Sequence, residues 1–456
     1  MPASSNNTSL TEISAPDRRR FVIHAALLRL IEPVRGDPTR TPLDDDPKGD
    51  LLGGQQLKQK FLDSFALICS TSGSGAETAS AVCLEQHEPA ARAILRVARN
   101  HGLTREVLSG LEGVLRILQI VAKKEKSSMQ AEPEILRLVV ELDRDRIKSM
   151  AEKVWKGEFR DILREAHSKL LSGQARPEIW TKSEFRPWLE KCPFMGPSPR
   201  TWSPATMVVL VNWASQARWD YSEQFRGLLG LSRTQQPPWL NSLYKIARYH
   251  AAIKSMVKLA VKQADVFEGI QIREVKPTKP YKFHLPPEGA PLQTAVKNLV
   301  REDWAVTMEQ LERRLKTHDA EAELRKACKR ELTLHAEMQL VVFYEGNPSL
   351  TPRLPFIGTS KKACFLCNEY LLRHPLKLKV SACHQKIYQS WMPPPYYPAP
   401  GQFKSKPFIK LSKGIESLTK NELKTALNAP PRTKNQDSTA GPSLTITATV
   451  SIGLRS

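Results

Sequence analysis

His335 and Glu337 stand two residues apart, and after an interval of 26 residues Cys364 and Cys367 follow, three apart. One imidazole and two thiolates fill three of the four positions around a tetrahedral zinc ion. A fourth position left open marks a catalytic rather than a structural site. Glu337 is not needed as a ligand, so its carboxylate is free to take a proton from water and return it. Zinc lowers the pKa of bound water to roughly 7. The four residues together therefore contain what is needed to make hydroxide at neutral pH and to move protons.

Such a set works only if two helix starts converge. On a helix, residues two apart do not share a face, but in a first turn both His335 and Glu337 reach a point just beyond the N-terminus. Cys364 and Cys367, at i and i+3 in the opening turn of another helix, face one point too. Exposed N–H groups there favour the thiolate form that a ligand must have. Thr359 or Ser360 is the expected N-cap of that second helix. The surrounding segments read as alternating elements: a helix in LHAEMQLVVFYEG, with VVFY open to a strand reading, a strand in LPFIGTS (354–360), a helix over 361–374 and a strand in LKLKVSA (376–382). This alternation favours an α/β layer over a zinc ribbon.

An H-x-E motif with a later C-x-x-C is the signature of zinc deaminases acting on nucleobases. HAEMQLVVFYEG, IGTSKKACFLCNEYLL and KIYQSWMPPP together resemble the fungal OTT-like nucleic acid and nucleotide deaminases of the cytidine deaminase-like superfamily. The resemblance covers about 335–395. It implies a mixed sheet flanked by helices, zinc on His335, Cys364 and Cys367, and proton transfer by Glu337. The implied reaction is hydrolytic deamination at C4 of a cytosine or C6 of an adenine, in nucleic acid or in a free nucleotide; no residue separates the two bases, and cytosine in nucleic acid is the substrate expected here. Ala363 precedes Cys364 where the better-known deaminases carry Pro. That departure leaves ligation intact and transfers no substrate preference. Lys361 and Lys362 are expected to hold a phosphate, and Phe365, Tyr388 and Trp391 to wall or stack the base. Against these five stands the ordinary reading, a solvated lysine pair and core aromatics.

Three rivals remain. Cys364, Cys367, Cys383 and His384 have spacing tolerable for a closed structural Cys3His site. It would require adjacent residues to reach one metal, and it leaves His335 and Glu337 unexplained. The second is an inactive deaminase-fold adaptor that keeps structural zinc and binds a protein partner through its helical half. The third is a free-nucleotide deaminase. A nuclease or phosphatase finds no support, since SGSGAE (72–77) lacks the Lys-Ser/Thr pair of a phosphate-cradling loop.

Charge bears on the substrate. The chain carries 68 Lys and Arg against 47 Asp and Glu, a net +21. Residues 351–430 alone hold 13 bases and three acids, Glu369, Glu416 and Glu422. An excess concentrated around and after the Cys pair suits RNA or single-stranded DNA better than a free nucleotide. The seven cysteines are too few and odd in number for a disulfide framework. Cys69, Cys83 and Cys192 read as small core residues. The start of the chain lacks the pattern of a secretory signal, and no apolar run approaches the roughly 20 residues that span a bilayer. Cytoplasm or nucleus is the expected compartment, with no membrane association.

The fold class expected is α+β, an irregular all-α N-terminal domain followed by a cytidine deaminase-like α/β domain with a mixed sheet. The expected divisions are a disordered 1–17, a helical domain over 18–267 of unassigned role, a zinc deaminase-like domain over 268–427 and a disordered tail over 428–456. Within the helical part, 108–124 places Leu111, Val114, Leu115, Leu118 and Val121 on one stripe. The same periodicity runs through 132–171, broken near Gly157, and through 237–267 behind a proline start. GIQIREV (269–275) and KPYKFHL (279–285) read as strands, 300–330 as one helix, and MPPPYYPAPG as a rigid extended linker.

Overall fold

A computed structural model describes residues 9–39, 53–73, 77–86, 92–156, 158–171, 184–196, 198–199, 201–232, 237–398 and 404–427. The expected tail over 428–456, the break at Gly157 and the end of the proline run lie outside these residues.

In chain order the helices are α1 (Ala15–Ile31), α2 (Gly54–Ile68), α3 (Arg105–Ala122), α4 (Ser128–Leu142), α5 (Arg144–Lys156), α6 (Phe159–Leu171), α7 (Phe185–Glu190), α8 (Pro204–Trp219), α9 (Ser222–Leu228) and α10 (Pro238–Lys262). They continue with α11 (Pro291–Val300), α12 (Trp304–Leu315), α13 (Ala320–Cys328), α14 (Ala336–Gly346), α15 (Phe365–Arg373) and α16 (Lys406–Thr425). The strands are β1 (Ser80–Glu85), β2 (Ile94–Arg99), β3 (Gln271–Val275), β4 (Tyr281–Phe283), β5 (Arg330–Leu332), β6 (Phe356–Thr359) and β7 (Lys379–Val380). The chain is α+β, as its sequence indicates. A five-stranded sheet has the order β3-β2-β1-β6-β7, and β4 pairs separately with β5. β1 runs antiparallel to both β2 and β6, whereas β6 and β7 are parallel. The sheet is therefore mixed.

The chain does not divide at 267. The described residues of Met1–Thr39, Ala79–Gly102 and Arg273–Ser438 form one compact unit, and those of Arg40–Thr78 and Leu103–Ile272 a second. Two segments expected in the helical domain thus belong with the sheet. One is α1, whose buried Phe21, Ala25, Leu28 and Ile31 join the core of the first unit. The other is the β1–β2 hairpin, where helix was expected. All six residues of β1 are buried, so the strand lacks the alternation that betrays a half-exposed one. Residues 9–17, expected to be disordered, are also held. Thr11 pairs with Tyr396 in both directions at 2.9 Å, Ile13 is buried, and the Ser14 hydroxyl caps α1 at the Asp17 N–H. The same pairing anchors the proline run, whose residues 392–396 are buried and so do not form a free linker.

The second unit is helical. α10 buries residues around its whole circumference and packs against α2, α3, α4, α5 and α8, as expected of a helix at the centre of a bundle. The stripe on α3 is buried at each expected position. The long periodic stretch ends once more than expected, at Asp143. This residue caps α4 and is fully buried, with its carboxylate accepting from the Tyr249 hydroxyl at 3.2 Å. In the first unit the single helix expected over 300–330 is two, α12 and α13. Lys316 takes a left-handed conformation (φ 53°) that stops α12, and Asp319 caps α13 by accepting the Ala322 N–H at 2.8 Å. Among the described residues no helix is long and apolar enough to cross a membrane.

Candidate metal centre

His335 is the N-cap of α14 and Cys364 the N-cap of α15. The second helix was expected to start from Thr359 or Ser360. Instead the Cys364 sulfur takes the capping role, accepting the Cys367 N–H at 3.3 Å. A helix-start N–H that bonds a sulfur stabilises negative charge on it.

Three features fix the two starts relative to each other. The Asn100 side chain, just past β2, accepts the Ala336 N–H at 2.8 Å, and the Gln339 amide donates to the carbonyls of Arg99 and Leu334 at 3.2 and 3.0 Å. The end of β2 therefore locks the opening turn of α14. The segment 382–392 then laces both ligand loops together. It exchanges backbone bonds with Ala363 and Phe365 on one side and with Thr333 on the other. Deeper in the sheet, the Glu85 carboxylate receives Arg96 at 2.9 Å and the Tyr344 hydroxyl at 3.0 Å, which ties α14 to β1 and β2.

These constraints bring His335, Cys364 and Cys367 together, their ligand atoms all within 4.8 Å of one another. His335 Nδ1 lies 3.6 Å from Cys364 Sγ and 3.4 Å from Cys367 Sγ. Zinc–sulfur and zinc–nitrogen bonds of 2.3 and 2.0–2.1 Å at tetrahedral angles put such atoms about 3.6 Å apart. The donor set therefore fits zinc both in chemistry and in spacing. Cys383 and His384 are not part of this group. Cys383 Sγ accepts the Gln385 N–H and His384 Nδ1 the Lys386 N–H, so the closed Cys3His knot is not assembled.

Exposure differs among the residues of the centre. Cys364 and Cys367 are buried, whereas His335 and Glu337 are partly accessible. Glu337, in the first turn of α14, lies outside the ligand group but feels the charges of His335 and Cys364. Burial pushes its carboxyl above the ordinary value against the pull of His335. Burial also opposes ionisation of Cys364, yet hydrogen bonds with Cys367 and His335 hold its thiol well below the ordinary range. Cys367 moves upward through burial and its neighbour's charge.

The residues expected to contact substrate separate into two groups. Tyr388 stands edge-on to His335 with ring centroids 6.0 Å apart and is partly exposed. Lys361, also partly exposed, acts electrostatically on both His335 and Glu337. Lys362 and Phe365 are buried at 6% and 7% exposure. Trp391, 1% exposed, lies beneath the centre rather than in its mouth and donates its indole N–H to Cys367 Sγ at 3.3 Å. That tryptophan is thus no free stacking surface. Asn100 and Gln339 had no signal in the sequence, because their partners are backbone groups brought close only by the fold.

Residues 334–395, which carry all four central residues, match a family described as OTT_1508-like deaminase. No curated protein and no solved structure matches the chain. The match supports a deaminase family for this segment, and the three candidate ligands within it are placed to hold a metal.

Proposed function

We propose that this protein is a zinc-dependent hydrolytic deaminase of a nucleobase, cytosine in single-stranded nucleic acid. The observation that carries this reading is the convergence of His335, Cys364 and Cys367 on one point, with Glu337 alongside but not among the ligands. A zinc ion held there supplies Lewis acidity that brings the pKa of water towards roughly 7.

The chain's own residues do the rest. His335, Cys364 and Cys367 hold the ion, and Trp391 and the Cys367 N–H orient the sulfurs. The carboxylate of Glu337 takes the proton of the attacking water as oxygen adds to C4 of cytosine, and delivers it to N3. It then carries a second proton to the exocyclic amine, which leaves as ammonia. Cytosine and water thus become uracil and ammonia, with no redox change. Tyr388 offers an aromatic edge beside the base, and Lys361 a charge at the mouth.

A polymeric substrate is favoured by α16. Lys406, Lys410, Lys413, Lys420 and Lys424 are all exposed on one face of it, over about 27 Å at 1.5 Å per residue. Such a row matches a phosphate backbone and gives contacts without base preference. The test is incubation of zinc-loaded protein with cytidine, adenosine, their monophosphates and mixed-sequence DNA and RNA oligonucleotides, read by mass spectrometry. Uracil in oligonucleotides is expected, with Glu337→Gln slower by about a hundredfold or more. Equal product from Glu337→Gln would remove the mechanism. Inactivity of the fully zinc-loaded wild type on every substrate would favour the adaptor.

A further inference from the structure

The second unit carries a groove of about 1120 Å³ where α4, α8 and α10 pack together. Its lining follows α10 from His250 to Lys262, about 18 Å at 1.5 Å per residue. The apolar lining includes Met129 and Leu136 of α4, Val208 of α8, and Ile253, Val257 and Val261 of α10. Met129 and Val261 are 87% and 55% exposed. They are two of the three exposed large apolar side chains among the described residues of this unit, the third being Val209. Single exposed apolar residues need no explanation, but two that flank one apolar groove mark a surface suited to docking.

Charge lies along one edge of this groove. Lys254, Lys258 and Lys262 occupy every fourth position of α10, about 6 Å apart along its axis. With Arg137 they make four bases against two acids, Glu132 and Asp220, of which Glu132 feels Lys254. The Ser215 hydroxyl and His250 Nδ1 lie 3.0 Å apart and satisfy each other. Burial lowers His250 from 6.5 to about 4, so it adds no charge at neutral pH.

A row of charge beside an apolar floor narrows the choice of occupant. A fatty acid presents one charge at one end and leaves the rest of the row unmatched. A nucleic acid matches the row, but Trp219 is the one Phe, Tyr or Trp among the described lining residues on which a base could stack. A second copy of this chain brings a further +21 charge. Residues 428–456 hold one acid, Asp437, against Arg432, Lys434 and Arg455. A helix with carboxylates four residues apart repeats at the same 6 Å as the lysines, at about 1.5 Å per residue. Its apolar stripe suits the floor. We propose that this groove docks an amphipathic α-helix of a partner protein, with its apolar stripe on α4, α8 and α10 and a row of Asp or Glu against Lys254, Lys258 and Lys262. Such docking is independent of the deaminase reading.

The experiment is fluorescence anisotropy on the full-length protein with two labelled peptides of about 15 residues, long enough to form a helix. Both carry leucines at three- and four-residue spacing. One has Glu and the other Lys at every fourth position of a flanking row. Wild type is compared with Met129→Asp, Val261→Asp, the double variant Lys254→Glu/Lys262→Glu, and Lys413→Glu on α16 as a control outside the groove. All five positions are exposed, and melting curves establish that each variant is folded. The Glu peptide should bind wild type at least about tenfold tighter than the Lys peptide. Met129→Asp and Val261→Asp should each weaken it by about tenfold. The double charge reversal should invert the preference between the peptides, and Lys413→Glu should leave it unchanged. Equal binding of the two peptides, binding of neither, or Glu-peptide binding that survives Met129→Asp and Val261→Asp overturns the proposal. A single-stranded oligonucleotide or palmitate whose binding is lost in Val261→Asp also overturns it, by naming another occupant. So does a dimer in light scattering that Val261→Asp dissociates, which would give the groove to a second copy of this chain.

Discussion

The indole N–H of Trp391 reaches Cys367 Sγ at 3.3 Å from beneath the metal centre. Its ring also meets Phe21 of α1 and Tyr370 of α15, with centroids 5.4 and 6.2 Å away. One side chain therefore joins the packing of the core to the orientation of a ligand. Partners of this kind typically change metal affinity by about 10–100-fold when removed. Trp391→Phe keeps most of the apolar body and deletes the donor. It should weaken zinc binding by about tenfold in competition with a chromophoric chelator, with a small fall in melting temperature. Unchanged affinity would make Trp391 a packing residue only.

The start of α14 depends on Asn100, whose side-chain oxygen takes the Ala336 N–H. Asn100→Ala leaves that donor without its partner at a helix end and should destabilise the fold by about 1–2 kcal/mol. Because His335 begins the same turn, zinc affinity should fall as well. Asn100→Asp, which retains the acceptor, should recover most of both. Denaturant unfolding and metal titration of the pair would show whether stability and affinity move together.

Acid should destabilise the protein through histidines remote from the metal centre. Burial depresses His24 on α1 and His250 on α10 from 6.5 to about 4. His24 Nδ1 is buried with no hydrogen-bond partner. A neutral, buried imidazole stabilises the folded state above the unfolded-state value near 6.5. That contribution declines as pH falls from about 6.5 to 4, because the unfolded chain binds the proton first. For His24 the loss is up to about 3 kcal/mol. Melting temperatures measured between pH 7 and pH 4, approximate limits set by these two values, should fall less steeply for His24→Leu than for wild type. Parallel curves would rule His24 out as a cause.

Cys383 and His384 stand outside the ligand cluster, so Cys383→Ser and His384→Ala should each retain zinc. Cys364→Ser and Cys367→Ser should each lose it. Elemental analysis after gel filtration distinguishes the two patterns, and the reverse pattern would restore the structural knot.

What was legible in the sequence follows the reach of each interaction. The H-x-E and C-x-x-C motifs are local, so their ligand geometry could be read from helix-start spacing. The burial of α3 was likewise read from its own periodicity. β1 and β2 were missed because a short strand buried on both faces has no period of two. The separation of α4 from α5 turned on Asp143 finding Tyr249, 106 positions away. For Trp391 the sequence offers two readings, a ring that walls or stacks the base and a core aromatic; its 1% exposure and its indole N–H on Cys367 Sγ match the second, and composition alone does not say which face of a site a ring occupies.

The central claim is that one zinc ion is held by His335, Cys364 and Cys367 with Glu337 free. Metal analysis of the purified protein combined with zinc-edge X-ray absorption tests it most directly. The expected result is one zinc per chain with two sulfur neighbours near 2.3 Å and light atoms near 2.0–2.1 Å, the usual zinc–sulfur and zinc–nitrogen distances, and an unchanged spectrum for Glu337→Gln. Three or more sulfur neighbours, or a spectrum indifferent to His335→Ala, would contradict it.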